Sequence, residues 1–316
     1  MRRISSVRRA IRSASAFAPA HVSGIFSPEL SARDPRARGS TGAGVVLDAG
    51  VYAIARLGPA RRRAIAFTSD VADPLPISEE VARRLLRGRN ASIEVELRHE
   101  LPVGQGFGMS AAGATATALA VARLLGVERG IAVGTAHLAD LYGRGGLGGV
   151  ASILGGGLEL RRRPGVPPWG SVEHRPFPLP IVVAVLGPPI PSVGPLSDDA
   201  LLERVRDAAT PALAQLGRSL TPGRFLMEAE RFTDELSLGS PRVHRVIRGL
   251  RGPGIRVAQA MFGESLFAVA ANGQARRRLL RRLERRRLPA LLLGAARSGA
   301  RGVSVRGRSP AAGQAS

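Results

Sequence analysis

The chain has 316 residues, 44% of them hydrophobic, with 46 basic side chains against 24 acidic ones and no cysteine. The basic residues are arginines without a single lysine, which excludes a Walker P-loop and a lysine Schiff base, while the missing cysteine excludes disulfides, thiolate metal sites and cysteine nucleophiles. A formal charge of +22 would ordinarily draw a polyanion, but with lysine absent and alanine and glycine abundant it reads as compositional bias, so a nucleic-acid partner is not expected.

The length suffices for one large domain or two ordinary ones. No window approaches the roughly 18 uninterrupted apolar residues that span a bilayer, so a soluble, cytoplasmic protein without a membrane partner is expected. The Arg-rich, acid-free start, "MRRISSVRRAIR", has the composition of a transit peptide or a simple extension, and residues 1–13 are set outside the fold.

From Ala14, "ASAFAPAHVSGIF" is apolar and extended; a polar link with Asp34 and Pro35 follows. Residues 45–47, 51–54 and "AIAFTSD" read as strands separated by turn residues, 78–87 as a helix, and "ASIEVELRHEL" alternates as a half-buried strand. Residues 110–125 form an alanine-rich helix stopped by Gly126, and 129–142 a second helix. A proline-rich stretch, about 163–179, is the boundary expected between domains at 14–165 and 175–303. Beyond it "LPIVVAVLG" is a buried strand, 197–217 and 222–238 are helical with a break expected at Pro211, and "FGESLFAVA" is a strand. The basic helix 274–287, the strand "LPALLLGAA" and a disordered tail, 304–316, complete the chain. Strands and helices mix without strict alternation, which predicts two α+β domains.

The stretch "PVGQGFGMSAAGA", residues 102–114, sets glycines directly before a helix. Backbone without Cβ atoms approaches a phosphate closely, and the first free amides of the helix carry the positive end of its dipole. The loop therefore reads as an anion site sized for a triphosphate. A flexible turn without ligand is the plainer alternative. The fragment "GFGMSA" also fits the dinucleotide pattern, but it lies about a hundred residues into the chain and no acid-ended strand follows about twenty residues on.

Pro102, Gly106, Phe107, Gly108, Met109, Ser110, Ala111 and Ala112 resemble the phosphate-binding motif of the GHMP kinases, P-x-x-x-G-L-G-S-S-A-A, with Phe107 and Met109 in place of a leucine and a serine. "FAPAHVSGIF", "GSTGAG", "AHLAD", "GLGGVAS" with "GGGLELR", "GPPIPS" and "AMFGESLFA" stand in the order of the archaeal pantoate-phosphorylating branch of that family, over about residues 14–270. The resemblance implies the GHMP kinase fold: an N-terminal domain with a left-handed βαβ unit, a ferredoxin-like C-terminal domain and an active site between them. It also implies transfer of the ATP γ-phosphate to the 4-hydroxyl of pantoate, with Mg²⁺, and a homodimer. Homoserine and mevalonate are the alternative acceptors within the family, and a basic nucleic-acid-binding protein, using the helix 274–287, is the alternative outside enzymes.

By that resemblance Pro102, Gly104, Gly106, Gly108, Met109, Ser110 and Ala111 bind nucleotide, and Ser110 with Asp140 holds the metal and serves catalysis. Asp140 takes the position of a family glutamate, one methylene shorter. Ser40, His137 and Ser192 are the implied substrate contacts, and Arg161 the partner of the substrate carboxylate. Gly149 stands where family members carry an aspartate that orients or deprotonates the attacking hydroxyl, so the chain is expected either to work without that base or to bind its substrates without turnover.

Overall fold

The computed structural model describes residues 12–60, 62–71, 75–190 and 198–303; Ser192, the tail 304–316 and all but the last two residues of the extension 1–13 lie outside the described residues. The first two strands, β1 (Arg12–Glu29) and β2 (Gly39–Pro59), are each one long strand where the sequence suggests shorter pieces. Asp48 and Gly50, which read as turn residues, are absorbed: Asp48 points to solvent, and a Cβ on Gly50 would lie 2.1 Å from the Ala18 carbonyl oxygen. The two strands pair antiparallel along their length, with register shifts between Pro19 and His21 and between Ser23 and Ile25. Such bulges re-aim side chains, and here they bracket His21 and Ser23.

β3 (Ala64–Ser69) and β4 (Ala91–His99) pair in parallel, which requires a crossover. Helix α1 (Pro76–Leu85) supplies it, opened by a proline in its first turn. β5 (Leu158–Arg163) pairs with the first part of β2, β6 (Ser171–Arg175) pairs with β5, and β11 (Arg301–Val303) closes the opposite edge beside β1, giving a seven-stranded sheet. Against it lies α2 (Met109–Leu125), with α3 (Arg129–Tyr142) packed on α2 and α1, followed by the single turn α4 (Gly149–Ser152). Nearly every residue of α2 is buried, as befits a helix that is apolar all round, and its many alanines let α1, α3 and the sheet approach closely.

The second sheet is antiparallel, in the order β10 (Ala290–Leu293), β7 (Ile181–Val185), β9 (Ser265–Ala270), β8 (Ile255–Gln259). α5 (Asp199–Arg218) and α6 (Pro222–Leu236) pack together and against β1, joining this half to the main core; α7 (Pro241–Leu250) and α8 (Gly273–Arg285) cover a smaller core of their own. The α+β class is as the sequence predicts. The break expected at Pro211 is absent, because α5 runs unbroken through it. The proline leaves the Asp207 carbonyl without its helical donor, and both residues are exposed, so water can serve that carbonyl.

Candidate active site

The glycine loop and the α2 mouth face a cavity of about 410 Å³, whose wall includes His21, Ser23, Ser40, Ser110, Asp140, Gly145, Gly148, Gly149 and Arg161. Gly104, Gly106 and Gly108 all have positive φ, at 73°, 73° and 65°, a backbone that L side chains rarely adopt. These alternate left-handed residues turn the chain from β4 into α2. Gly108 is the N-cap, and no side chain among the described residues caps the helix. The first amides of α2 are therefore left for a ligand.

The loop is pinned to the second half of the molecule. Ile190 N donates to Gly104 O at 2.9 Å, Gln105 Nε2 donates to Gly187 O at 3.1 Å, and Ser265 Oγ donates to Gln105 O at 2.5 Å. A Cβ on Gly106 would lie 2.6 Å from Met261 O. Phe107 and Met109, the two departures from the motif, are buried, which accounts for their apolar character. Phe107 O accepts from His21 N at 3.0 Å, tying the loop to β1 as well.

Ser110 Oγ donates to Asp140 Oδ1 at 2.8 Å. Asp140 sits on α3, is 2% exposed, and burial raises its pKa from 3.8 to about 7 against the pull of the Ser110 hydroxyl. Gly145 leaves the space beside this pair open: a Cβ there would stand 2.3 Å from Asp140 Oδ1 and 2.3 Å from Ser110 Oγ. The cradle, its oxygen donors and a carboxylate that burial makes costly to ionise fit a divalent cation. No group of three or more His, Asp or Glu side chains suited to a metal occurs among the described residues, so a cation here would lean on two protein oxygens, phosphate and water.

At the other end of the cavity Arg161, 2% exposed, is clamped from behind. Nη1 donates to Ser152 Oγ at 2.6 Å and to Glu159 Oε1 at 2.5 Å, and Nη2 donates to Ser23 Oγ at 3.3 Å. Its Nε is buried without a partner among the described residues. A Cβ on Gly148 would lie 2.7 Å from that Nε and 2.5 Å from Ser40 Oγ, so both groups converge on one spot over Gly148. Glu159 is wholly buried and also accepts from His21 Nε2 at 2.8 Å. Burial pushes its carboxyl up, but Arg161 and His21 outweigh that and hold it below its ordinary range.

Of the site residues expected from sequence, Ser40, Gly104, Gly106, Gly108, Met109, Ser110, Ala111, Asp140 and Arg161 line this one cavity. Pro102 is exposed beside it, and His137 is absent from its wall. His137 is 3% exposed on the part of α3 packed against the one-turn helix Pro35–Ala37, and burial lowers its pKa despite hydrogen bonding to the backbone of Arg38 and Pro35. His21, Ser23, Ser152 and Glu159 were not expected. "LELR" puts Glu159 and Arg161, two apart on a strand, on one face, but only the structure shows that this face is buried.

Residues 77–157 match the GHMP kinases N-terminal domain family. The chain is 31% identical over 271 residues to the pantoate kinase of Thermococcus kodakarensis, covering 82% of this chain and 88% of that one, and 26% identical over 263 residues to the pantoate kinase of Methanospirillum hungatei, covering 82% and 88%. The mevalonate kinase of Pyrococcus furiosus is 34% identical over 218 residues, covering 59% of this chain and 62% of that one. Among solved structures, a phosphotransferase related to the CoA biosynthesis pathway superposes with a TM-score of 0.83 at 28% identity, over 94% of this chain and 100% of that one. A homoserine kinase from Cytophaga hutchinsonii shares the fold at a TM-score of 0.60 and 17% identity, over 96% of this chain and 100% of that one. A chain that matches pantoate kinases over four-fifths of its length, with a free helix mouth and a buried arginine facing one cavity, belongs to the pantoate kinase family of the GHMP kinases.

Proposed function

We propose that the chain transfers the γ-phosphoryl group of ATP to the 4-hydroxyl of pantoate. The observation that carries this reading is the convergence of Arg161 Nε and Ser40 Oγ, in the cavity that the α2 mouth faces, in a chain kin to pantoate kinases over most of its length. A buried guanidinium nitrogen without a partner calls for an anionic acceptor, and a hydroxyl beside it suits a small carboxylate.

Phosphoryl transfer asks chiefly for positioning and charge neutralisation. The amides of residues 104–111 would hold the phosphates, and Ser110 with Asp140 would hold Mg²⁺ against them. The cation, when bound, supplies positive charge to the phosphate oxygens. Arg161 and Ser40 would fix the carboxylate of pantoate, and His137 would support the segment at residues 35–38 that leads into Ser40. A division into an N-terminal nucleotide-binding part, 14–165, and a C-terminal part, 175–303, accompanies this reading, as do a homodimer and a cytoplasmic location. Among the described residues no helix is long and apolar enough to cross a membrane.

The test is ADP release with ATP and magnesium across pantoate, homoserine, mevalonate and shikimate. Pantoate is expected to give the highest kcat/KM, and preference for any of the other three overturns the assignment.

A further inference from the structure

Gly149 lines the cavity and brings no side-chain base to it. A titratable residue lies on the same wall. His21 reaches the cavity from β1, seated between the two ends of the site. Its main chain touches the phosphate loop: His21 N donates to Phe107 O at 3.0 Å, and a Cβ on Gly108 would lie 3.4 Å from the His21 Cβ. Its ring touches the acceptor end through Glu159, the same carboxylate that clamps Arg161. His21 therefore links the phosphate loop to the Arg161 clamp.

The tautomer follows from the partners. Glu159, held ionised by Arg161, can only accept, so Nε2 carries the proton in the 2.8 Å bond between them. Nδ1 has no hydrogen bond among the described residues and keeps its lone pair. Glu159 is outside the cavity wall whereas His21 is part of it. Three charged or titratable groups act on the ring: Glu159 and Arg161 from β5 and His174 from β6. Burial lowers the His21 pKa more than Glu159 raises it, and Arg161 and His174 add to the lowering, which keeps the imidazole neutral near pH 7.

Resting on the phosphotransfer reading above, we propose that His21, oriented by Glu159, is the general base of this enzyme. Nδ1 takes the proton of the acceptor hydroxyl as its oxygen forms the new bond to the γ-phosphorus. The bond from that phosphorus to the β,γ-bridging oxygen breaks, and its electron pair leaves with ADP. The imidazolium then gives the proton to solvent as product departs. A buried carboxylate fixing one imidazole nitrogen so that the other can accept a proton is a general device for activating hydroxyls.

The experiment follows kcat between pH 5 and 9 for wild type, His21→Gln, His21→Ala and Glu159→Gln, on whichever acceptor of the panel the wild type phosphorylates. Each profile is taken at two magnesium concentrations. An acid limb due to Asp140 moves with magnesium, and one due to His21 does not. Wild type is expected to show a magnesium-independent acid limb. Both His21 variants should lose it, with kcat down about 10²–10⁴-fold, KM for ATP within a few-fold, and partial rescue of His21→Ala by free imidazole in proportion to its neutral form. Glu159→Gln should shift the limb to lower pH, since the ring loses the charge that supports its proton; this variant decides the matter if the His21 variants do not fold. A wild type without such a limb, His21 variants that keep it or stay within threefold in kcat, or an unmoved limb in Glu159→Gln each overturn the proposal. A wild type inactive on every acceptor instead overturns the kinase reading.

Discussion

Gly149, the first residue of α4, faces Ala111 in the first turn of α2 so closely that a Cβ on Gly149 would stand 2.6 Å from the Ala111 Cβ. Both atoms are fixed by helical backbone and neither can swing away. A side chain at residue 149 is thus excluded by packing.

Placing an aspartate at residue 149 alone should therefore fail. Gly149→Asp is expected to destabilise the protein by about 1–3 kcal/mol through overpacking and to slow turnover. Ala111→Gly clears the space, at about 1 kcal/mol of helix propensity. Joined with Gly149→Asp it should recover most of the loss, a coupling of about 0.5–3 kcal/mol in a double-mutant cycle read by denaturant unfolding. Additive single effects would show that α2 and α4 are not in the contact described.

Asp140 gives a pH dependence whose sign is fixed. Its pKa is raised from 3.8 to about 7 in the fold, so between those values the folded protein holds a proton that the unfolded chain has lost. Stability of the metal-free protein therefore falls as pH rises from about 4 through 7. Asp140→Asn should remove that slope and be the more stable protein at pH 8 without metal, by up to ~4 kcal/mol. Magnesium added at a fixed nucleotide concentration should stabilise wild type further and the variant little. Thermal melts from pH 5 to 8, with and without magnesium and nucleotide, check both parts. Parallel curves for the two proteins would contradict the burial argument.

The sequence made the nucleotide end of the site legible and the acceptor end only in part. Glycines beside a serine and an alanine helix predict a turn into a helix with an open N-terminus, and "GFGMSAAGA" folds so. The acceptor end is built from β1, β2 and β5, which meet only through long-range pairing: Arg161 lies opposite Gly42, and Glu159 opposite Gly44. No local pattern reports that register. The bulges that bracket His21 are equally invisible, because a bulge depends on which strand lies opposite. In the second half, α7 hid under its arginines. Its apolar stripe, Val243, Ile247 and Leu250, is regular, but "SPRVHRVIRGL" carries so much charge that the periodicity does not stand out.

Gly145 sets the spacing of the Ser110–Asp140 pair, the proposed cation cradle. In Gly145→Ala the new methyl would stand 2.3 Å from both Asp140 Oδ1 and Ser110 Oγ, with the Ile77 side chain at 2.5 Å blocking retreat. The pair must separate. Displacement of about 1 Å at a reacting site costs on the order of 10²-fold. We expect a loss of that size in kcat, a raised magnesium requirement and little change in KM for pantoate. Titration of activity against magnesium checks it, and unaltered magnesium dependence would show that Ser110 and Asp140 do not hold the cation.

The clamp on Arg161 separates stability from recognition. Arg161→Gln removes the cation and leaves Glu159 buried beside an uncharged partner, which should cost about 3–5 kcal/mol of stability. It should also raise KM for pantoate about 10–100-fold, the worth of one charge-assisted hydrogen bond, while KM for ATP holds. Glu159→Gln in the same chain removes the stranded charge. The double variant should regain most of the stability and none of the pantoate affinity, because no cation then faces Ser40 over Gly148. Unfolding curves and steady-state kinetics on the two single variants and the double variant decide this. If the double variant recovers KM for pantoate together with stability, the acceptor's carboxylate is not bound by Arg161.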